Sequence, residues 1–252
     1  PSDMNNAVRE VMSHLKEFAT GAESISGLTV AGNVSVDGGT IKLDGAFPTG
    51  TNNTALGDGA LDDGSLSGGY NVAIGQAALG ENEGGQENVA VGWNSLDANT
   101  SGNNNSSLGS QSLSANTSGA SNTAVGKNAL RSNQTGNDNV AVGQQALEDN
   151  TGSSNTAVGY AALLENTSGI GNTAVGKLAL GTCSTISNST AVGQNALRNT
   201  VNLENTALGE AAGEAVTSGH NNTFLGKDCG KSVTTGTRNT IVGAYNGNQD
   251  GL

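Results

Sequence analysis

The stretch that decides the fold is NTAVGKNAL, residues 122–130, because it recurs with small substitutions twelve times between Asn53 and the C-terminus. Aligned on its glycine the series runs Gly57, Gly75, Gly92, Gly109, Gly126, Gly143, Gly159, Gly176, Gly193, Gly209, Gly226 and Gly243. Successive steps are 16 to 18 residues, most of them 17. A period this regular is the signature of a repeat architecture in which each unit stacks on the next.

The columns of the repeat carry the physics. Asn stands four before the glycine in every repeat except at Ser189, followed by Thr, Val or Ser, then usually Ala, then always an aliphatic residue. This reads as a short strand of four residues, with the glycine ending it at a corner that needs positive φ or close backbone approach. Ala-Leu or Ser-Leu follows three and four residues later in nine repeats, and an Asn/Thr/Ser/Gly turn closes the coil. The one-residue length changes fall in and around these turns, as suits exposed loops. The fold class is therefore all-β: a parallel β-roll or β-solenoid of about twelve coils of 16–18 residues, over residues 51–252.

Side chains alternate across a strand, so two of these columns face opposite ways. The larger column is assigned to the coil core: Leu56, Ile74, Val91, Leu108, Val125, Val142, Val158, Val175, Val192, Leu208, Leu225 and Val242. The column before it holds Ala55, Ala73, Ala90, Ala124, Ala141, Ala157, Ala174, Ala191, Ala207, Phe224 and Ile241, with Ser107 in the remaining repeat. A persistently small apolar column reads as a subunit interface pressed against another backbone; the alternative is a face tucked under the chain's own loop. Burial energetics favour company. One Val, one Leu and one or two Ala per coil yield a few kcal/mol at about 25 cal/mol per Å², against about 1–2 kcal/mol per residue of ordering cost.

Residues 1–20 form the predicted helix, with Met4, Val8, Val11, Leu15 and Phe18 at heptad spacing. A helix this short needs partners, either copies of itself around an axis or a neighbouring protein. Residues 21–50 alternate in short runs between Gly/Asn/Asp turns and read as a β adaptor. Near residue 205 the cross-section is expected to change, because Gly213, Gly230 and Gly247 stand where Leu filled earlier coils while Phe224 and Ile241 replace Ala. No cap is evident at Asp250-Gly251-Leu252, so the chain is expected to continue.

Composition narrows the function classes. A formal charge of −12 opposes a nucleic-acid partner or an anionic membrane surface, and no apolar run is long enough for a membrane span. Chemistry-bearing residues are sparse. His14 and His220 lack partners at metal spacing. Asp62-Asp63-Gly64 lacks the alternating pattern of a calcium loop. Cys183 and Cys229 occupy different phases about three coils apart, so both read as free thiols. The sequons at Asn99, Asn116 and Asn166 arise from composition, and Trp93, Tyr70, Tyr160 and Tyr245 read as surface filler. No catalytic residue, metal or cofactor is assigned, and an enzyme is not expected.

The unit NTAVG-xx-AL resembles the strand repeat of trimeric autotransporter adhesin heads, over about three quarters of the chain. Its coils are longer than is common in those heads. The opening PSDMNNAVREVMSHLKEF, residues 1–18, and GTIKLDGAFPTGTNNTALGDGAL, residues 39–61, are similar to segments of bacteriophage tail fibre proteins. These resemblances imply a left-handed roll and a homotrimer that serves as an adhesive fibre shaft on a virion. Phage tail or adaptor proteins would meet its N-terminal end, and a host cell-surface glycan or protein its distal end. The alternative is the head of a bacterial surface adhesin. An enzyme of the pectate-lyase-like solenoid type would need a cleft of carboxylates and basic residues, which the repeats do not provide.

Overall fold

The computed structural model describes residues 52–201 and 204–246; the predicted helix with its seam, the adaptor, and the end of the chain lie outside them. Twelve three-residue strands follow one another: β1 Thr54–Leu56, β2 Val72–Ile74, β3 Val89–Val91, β4 Ser106–Leu108, β5 Thr123–Val125 and β6 Val140–Val142. The series continues with β7 Thr156–Val158, β8 Thr173–Val175, β9 Thr190–Val192, β10 Thr206–Leu208, β11 Thr223–Leu225 and β12 Thr240–Val242. They form one parallel sheet in sequence order, each strand one full coil from the next, so eleven coils join the twelve strands. Register is set column by column, as where Ala124 pairs Ala141 and Val125 pairs Val142. This is the parallel β-solenoid that the period predicts.

The strand is one residue shorter than expected, because the Asn before it serves another purpose. Its side chain turns inward and builds a ladder: the Asn105 Oδ1 accepts the Asn122 N–H at 3.0 Å, and the Asn122 Oδ1 accepts that of Asn139 at 3.1 Å. Each amide also reaches forward, Asn122 Nδ2 donating to the Gly136 carbonyl at 2.8 Å. A second ladder runs through the turns, from Asn99 Nδ2 to Asn82 Oδ1 at 2.7 Å and from Asn116 to Asn99 at 2.8 Å. It breaks twice. Asn133 Oδ1 is left without a partner where the next turn is one residue shorter, and Asn166 Oδ1 where Cys183 takes the following position. Buried polar groups demand such pairing, so the Asn columns bond coil to coil inside the roll.

The two strand faces are exchanged relative to the sequence expectation. Ala73, Ala90, Ala124, Ala141, Ala157, Ala174, Ala191, Ala207 and Phe224 are fully buried within their own chain, and Ala55 and Ile241, at the two ends, are partly buried against the same core. They are interior, so they offer no surface to a second subunit; the alternative of a face covered by the chain itself is what the fold adopts. The column assigned to the core points outward. Leu56, Ile74, Leu108, Leu208, Leu225 and Val242 are exposed, from 37% for Ile74 to 66% for Val242, and Val91, Val125, Val142, Val158, Val175 and Val192 are half-buried.

Room inside the coil explains the exchange. The Ala-Leu pair after each corner is buried as expected, and nine leucines from Leu61 to Leu197 have no exposed surface. Each of them enters from the wall opposite the strand with φ between 49° and 54°. Left-handed backbone costs an L-residue about 1–2 kcal/mol, while full burial of a Leu returns about 1.5–3 kcal/mol. With Leu filling the narrow interior, only Ala fits beneath it from the strand. The last coils test this by inversion. At Gly213 and Gly230 (φ 61° in both) an added Cβ would stand 2.7 and 2.3 Å from the Phe224 ring. Phe224 thus occupies, from the strand side, the volume that leucines fill elsewhere. The change of cross-section expected near residue 205 is therefore a swap within one interior, with no transfer of bulk to the outer face.

The corner glycines are equally constrained. From Gly57 to Gly226 they lie at φ 132° to 147°, and a Cβ on Gly143 would stand 2.5 Å from the Gly159 carbonyl oxygen. Cys183 and Cys229 are both buried free thiols. Asn99, Asn116 and Asn166 are fully buried in the ladder, which removes their sequons from the surface.

Candidate association surface

Alternation around a buried Ala places two residues of every strand on the outside of the sheet. One column is the aliphatic series just described. The other holds Thr in eight rows, Val at Val72, Val89 and Val140, and Ser at Ser106. No charged residue stands in either column over twelve rows. At about 4.8 Å per row the face is about 53 Å long. With exposures of 59% at Leu56, 40% at Val89 and 51% at Leu108, its accessible area is on the order of 1,000 Å². That exceeds the apolar patches ordinary on monomers and is comparable with about 800 Å² per partner of a standard protein–protein interface.

Elsewhere on the surface, some charged side chains are paired. Arg131 reaches the buried Glu148 of the next coil at 3.3 Å. Asn128 Nδ2 and Gln145 Nε2 complete that carboxylate's partners at 3.1 and 2.8 Å. Further along, Lys227 meets Glu210 at 3.0 Å and Lys231 meets Asp228 at 2.9 Å. The first of these links neighbouring coils and the second lies within one coil, and such pairs are worth little individually when exposed.

The remaining singled-out residues do not converge. A cleft in the first coils is lined by Asp62, Asp63, Glu81 and Asp97. The Ser65 hydroxyl and N–H bind the Asp63 carboxylate and lower its pKa, whereas burial, with Glu81 nearby, raises that of Asp97. Among the described residues no three His, Cys, Asp or Glu side chains are placed to hold a metal ion. Among them, too, no helix is long and apolar enough to cross a membrane. Trp93 and Tyr160, which the sequence leaves scattered, fall in one exposed column directly after the corner glycine; Tyr70 lies before its strand, off that column.

The sequence expectation places the aliphatic column in the core and the Ala column at a subunit interface; the structure buries the Ala column and turns the aliphatic one outward. The signal that separates the two columns is Phe224: a large aromatic in a column otherwise of Ala, one Ser and one Ile, beside two coils that lose their Leu to Gly213 and Gly230, marks that column as interior. No protein-family model, curated protein or solved structure matches the chain.

Proposed function

We propose that the chain is the shaft of a homotrimeric adhesive fibre, of the kind carried on a phage tail, with three copies side by side and their sheets' outer faces turned toward one another. The observation that carries this reading is the charge-free aliphatic and Thr/Val face, unbroken over all twelve rows. Water-exposed aliphatic side chains cost free energy in proportion to their area, and a repeating face is best covered by another with the same repeat. The number of copies comes from the resemblance to trimeric adhesin heads and phage fibres, as do the virion location and the tail and host partners. The shaft gives reach: its rows add up to a rod of about 53 Å at about 4.8 Å each.

Light scattering on the purified full chain tests the assembly. A mass three times that of the chain is expected, and Val142→Glu with Val158→Glu should reduce it to that of one chain while far-ultraviolet circular dichroism stays unchanged. A folded monomer in the unmodified protein, or an assembly indifferent to both changes, would refute the proposal.

A further inference from the structure

The geometry points to a second surface: a strip along the flank of the rod that binds an extended acidic glycan. It builds on the adhesive reading above and moves the ligand contact from the distal end to the side of the shaft. The strip is the column that directly follows the corner glycine, from Trp93 through Lys127, Gln144, Tyr160 and Lys177 to Gln194, with Ser110 in the one other row. All but Ser110 are exposed. A single glycine separates this column from the association face.

Four features set the strip apart. The chain carries 22 acidic and 10 basic residues, yet seven consecutive rows here hold no carboxylate. Lys127, Lys177 and Lys227 recur in the column at every third coil. Lys227 is neutralised by Glu210 at 3.0 Å, but among the described residues no carboxylate stands within ion-pair distance of Lys127 or Lys177. The ammonium of Lys177 lies 5.9 Å from the centre of the Tyr160 ring, joining a cation to an aromatic platform. The neighbouring column adds half-buried, uncharged amides at Asn94 and Gln111, each carrying donors and an acceptor.

The ligand class follows from this chemistry. Trp93 and Tyr160 are four coils apart, about 19 Å, and Lys127 and Lys177 three coils apart, about 14 Å. A molecule that meets all four is linear and runs parallel to the rod. Aromatic faces stack on the apolar C–H faces of sugar rings, Gln, Asn and Ser pair with hydroxyls, and two separated ammonium groups fit sparse carboxylates or sulfates. A nucleic acid, with charge at every phosphate, would be repelled by a chain of net charge −12. A polysaccharide with an acidic group every few sugars is accommodated.

Affinity electrophoresis and calorimetry of the full chain with hyaluronan, gellan and xanthan oligomers, and with neutral dextran, test the assignment. At least one acidic glycan should bind, dextran should not, and binding should weaken with added salt. Lys127→Gln with Lys177→Gln should weaken binding about tenfold or more, and Trp93→Ala or Tyr160→Ala about five- to tenfold, as loss of a stacking platform does elsewhere. Tyr70→Ala, off the strip, should leave it unchanged. Absence of binding to all three acidic glycans, or equal loss with Tyr70→Ala, would overturn the strip. Light scattering on the same samples separates the two proposals: a monomeric mass refutes the fibre, whereas lost binding at full assembled mass refutes only the strip.

Discussion

Replacing one corner glycine by alanine tests the tightest contact in the molecule. Gly143 sits at φ 134°, and a Cβ there would stand 2.5 Å from the carbonyl oxygen and 2.7 Å from the carbonyl carbon of Gly159. Two costs add. Holding an L-residue at such an angle costs about 1–3 kcal/mol. Forcing a methyl group against backbone that cannot rotate away costs about another 1–3 kcal/mol, as overpacking does. Gly143→Ala should therefore destabilise the chain by about 2–6 kcal/mol. Gly243 supplies an internal control: it has φ 98°, but a Cβ added there meets nothing within 4 Å. Gly243→Ala should cost the backbone term alone, about 1–3 kcal/mol. Urea unfolding of both variants, followed by circular dichroism at matched protein concentration, measures the difference. Equal losses would show that coil stacking does not set the corner residue, and the account of the glycine column would fall.

Three further outcomes follow from the interior. Phe224→Ala should lose about 3–5 kcal/mol of stability through the cavity it leaves, and adding Gly230→Leu should recover much of it, whereas Gly230→Leu beside the native Phe224 should destabilise; thermal melts of the three variants decide. Asn122→Ala leaves the Asn139 N–H and the Gly136 carbonyl without their side-chain partner, so a loss of about 2–5 kcal/mol is expected in urea unfolding, with Thr123→Ala near neutral as the reference. Burial pushes the Cys183 thiol from its ordinary 9.0 up to about 12. The folded state therefore holds the proton more tightly than the unfolded one, and this contribution to stability is complete below pH 9 and declines as pH rises from 9 toward 12. Melts across that range should lose stability that Cys183→Ser retains, and the native thiol should resist alkylation at pH 8.

Much of this fold is legible in the sequence, because stacking forces every coil to solve the same problem. The period gives the solenoid, the invariant glycine gives the corner, and Ala-Leu gives the wall opposite the strand. What alternation cannot give is which face of a three-residue strand points in. The usual guide, that larger apolar residues are buried, fails here because the interior is already filled by Leu130 and its equivalents, which enter with left-handed backbone that no aliphatic periodicity reveals. In the sequence the Ala column reads as an outer face for the same reason. The Asn ladders were legible as a column, but their inward orientation becomes evident only once Asn122 and its neighbours are found bonded coil to coil.

The direction of those bonds has a mechanical consequence. Strand pairing, both Asn ladders and the backbone bonds through the turns, such as Leu130 N–H to the Ala146 carbonyl at 3.0 Å, all join one coil to the next. A pull along the rod loads these contacts one coil at a time, as on the teeth of a zip. Each coil that opens gives up about 4.8 Å of rod and releases a tether of 17 residues, about 58 Å when drawn out. A solenoid built this way converts a sudden tug into a series of small extensions, with its outer coils acting as sacrificial length.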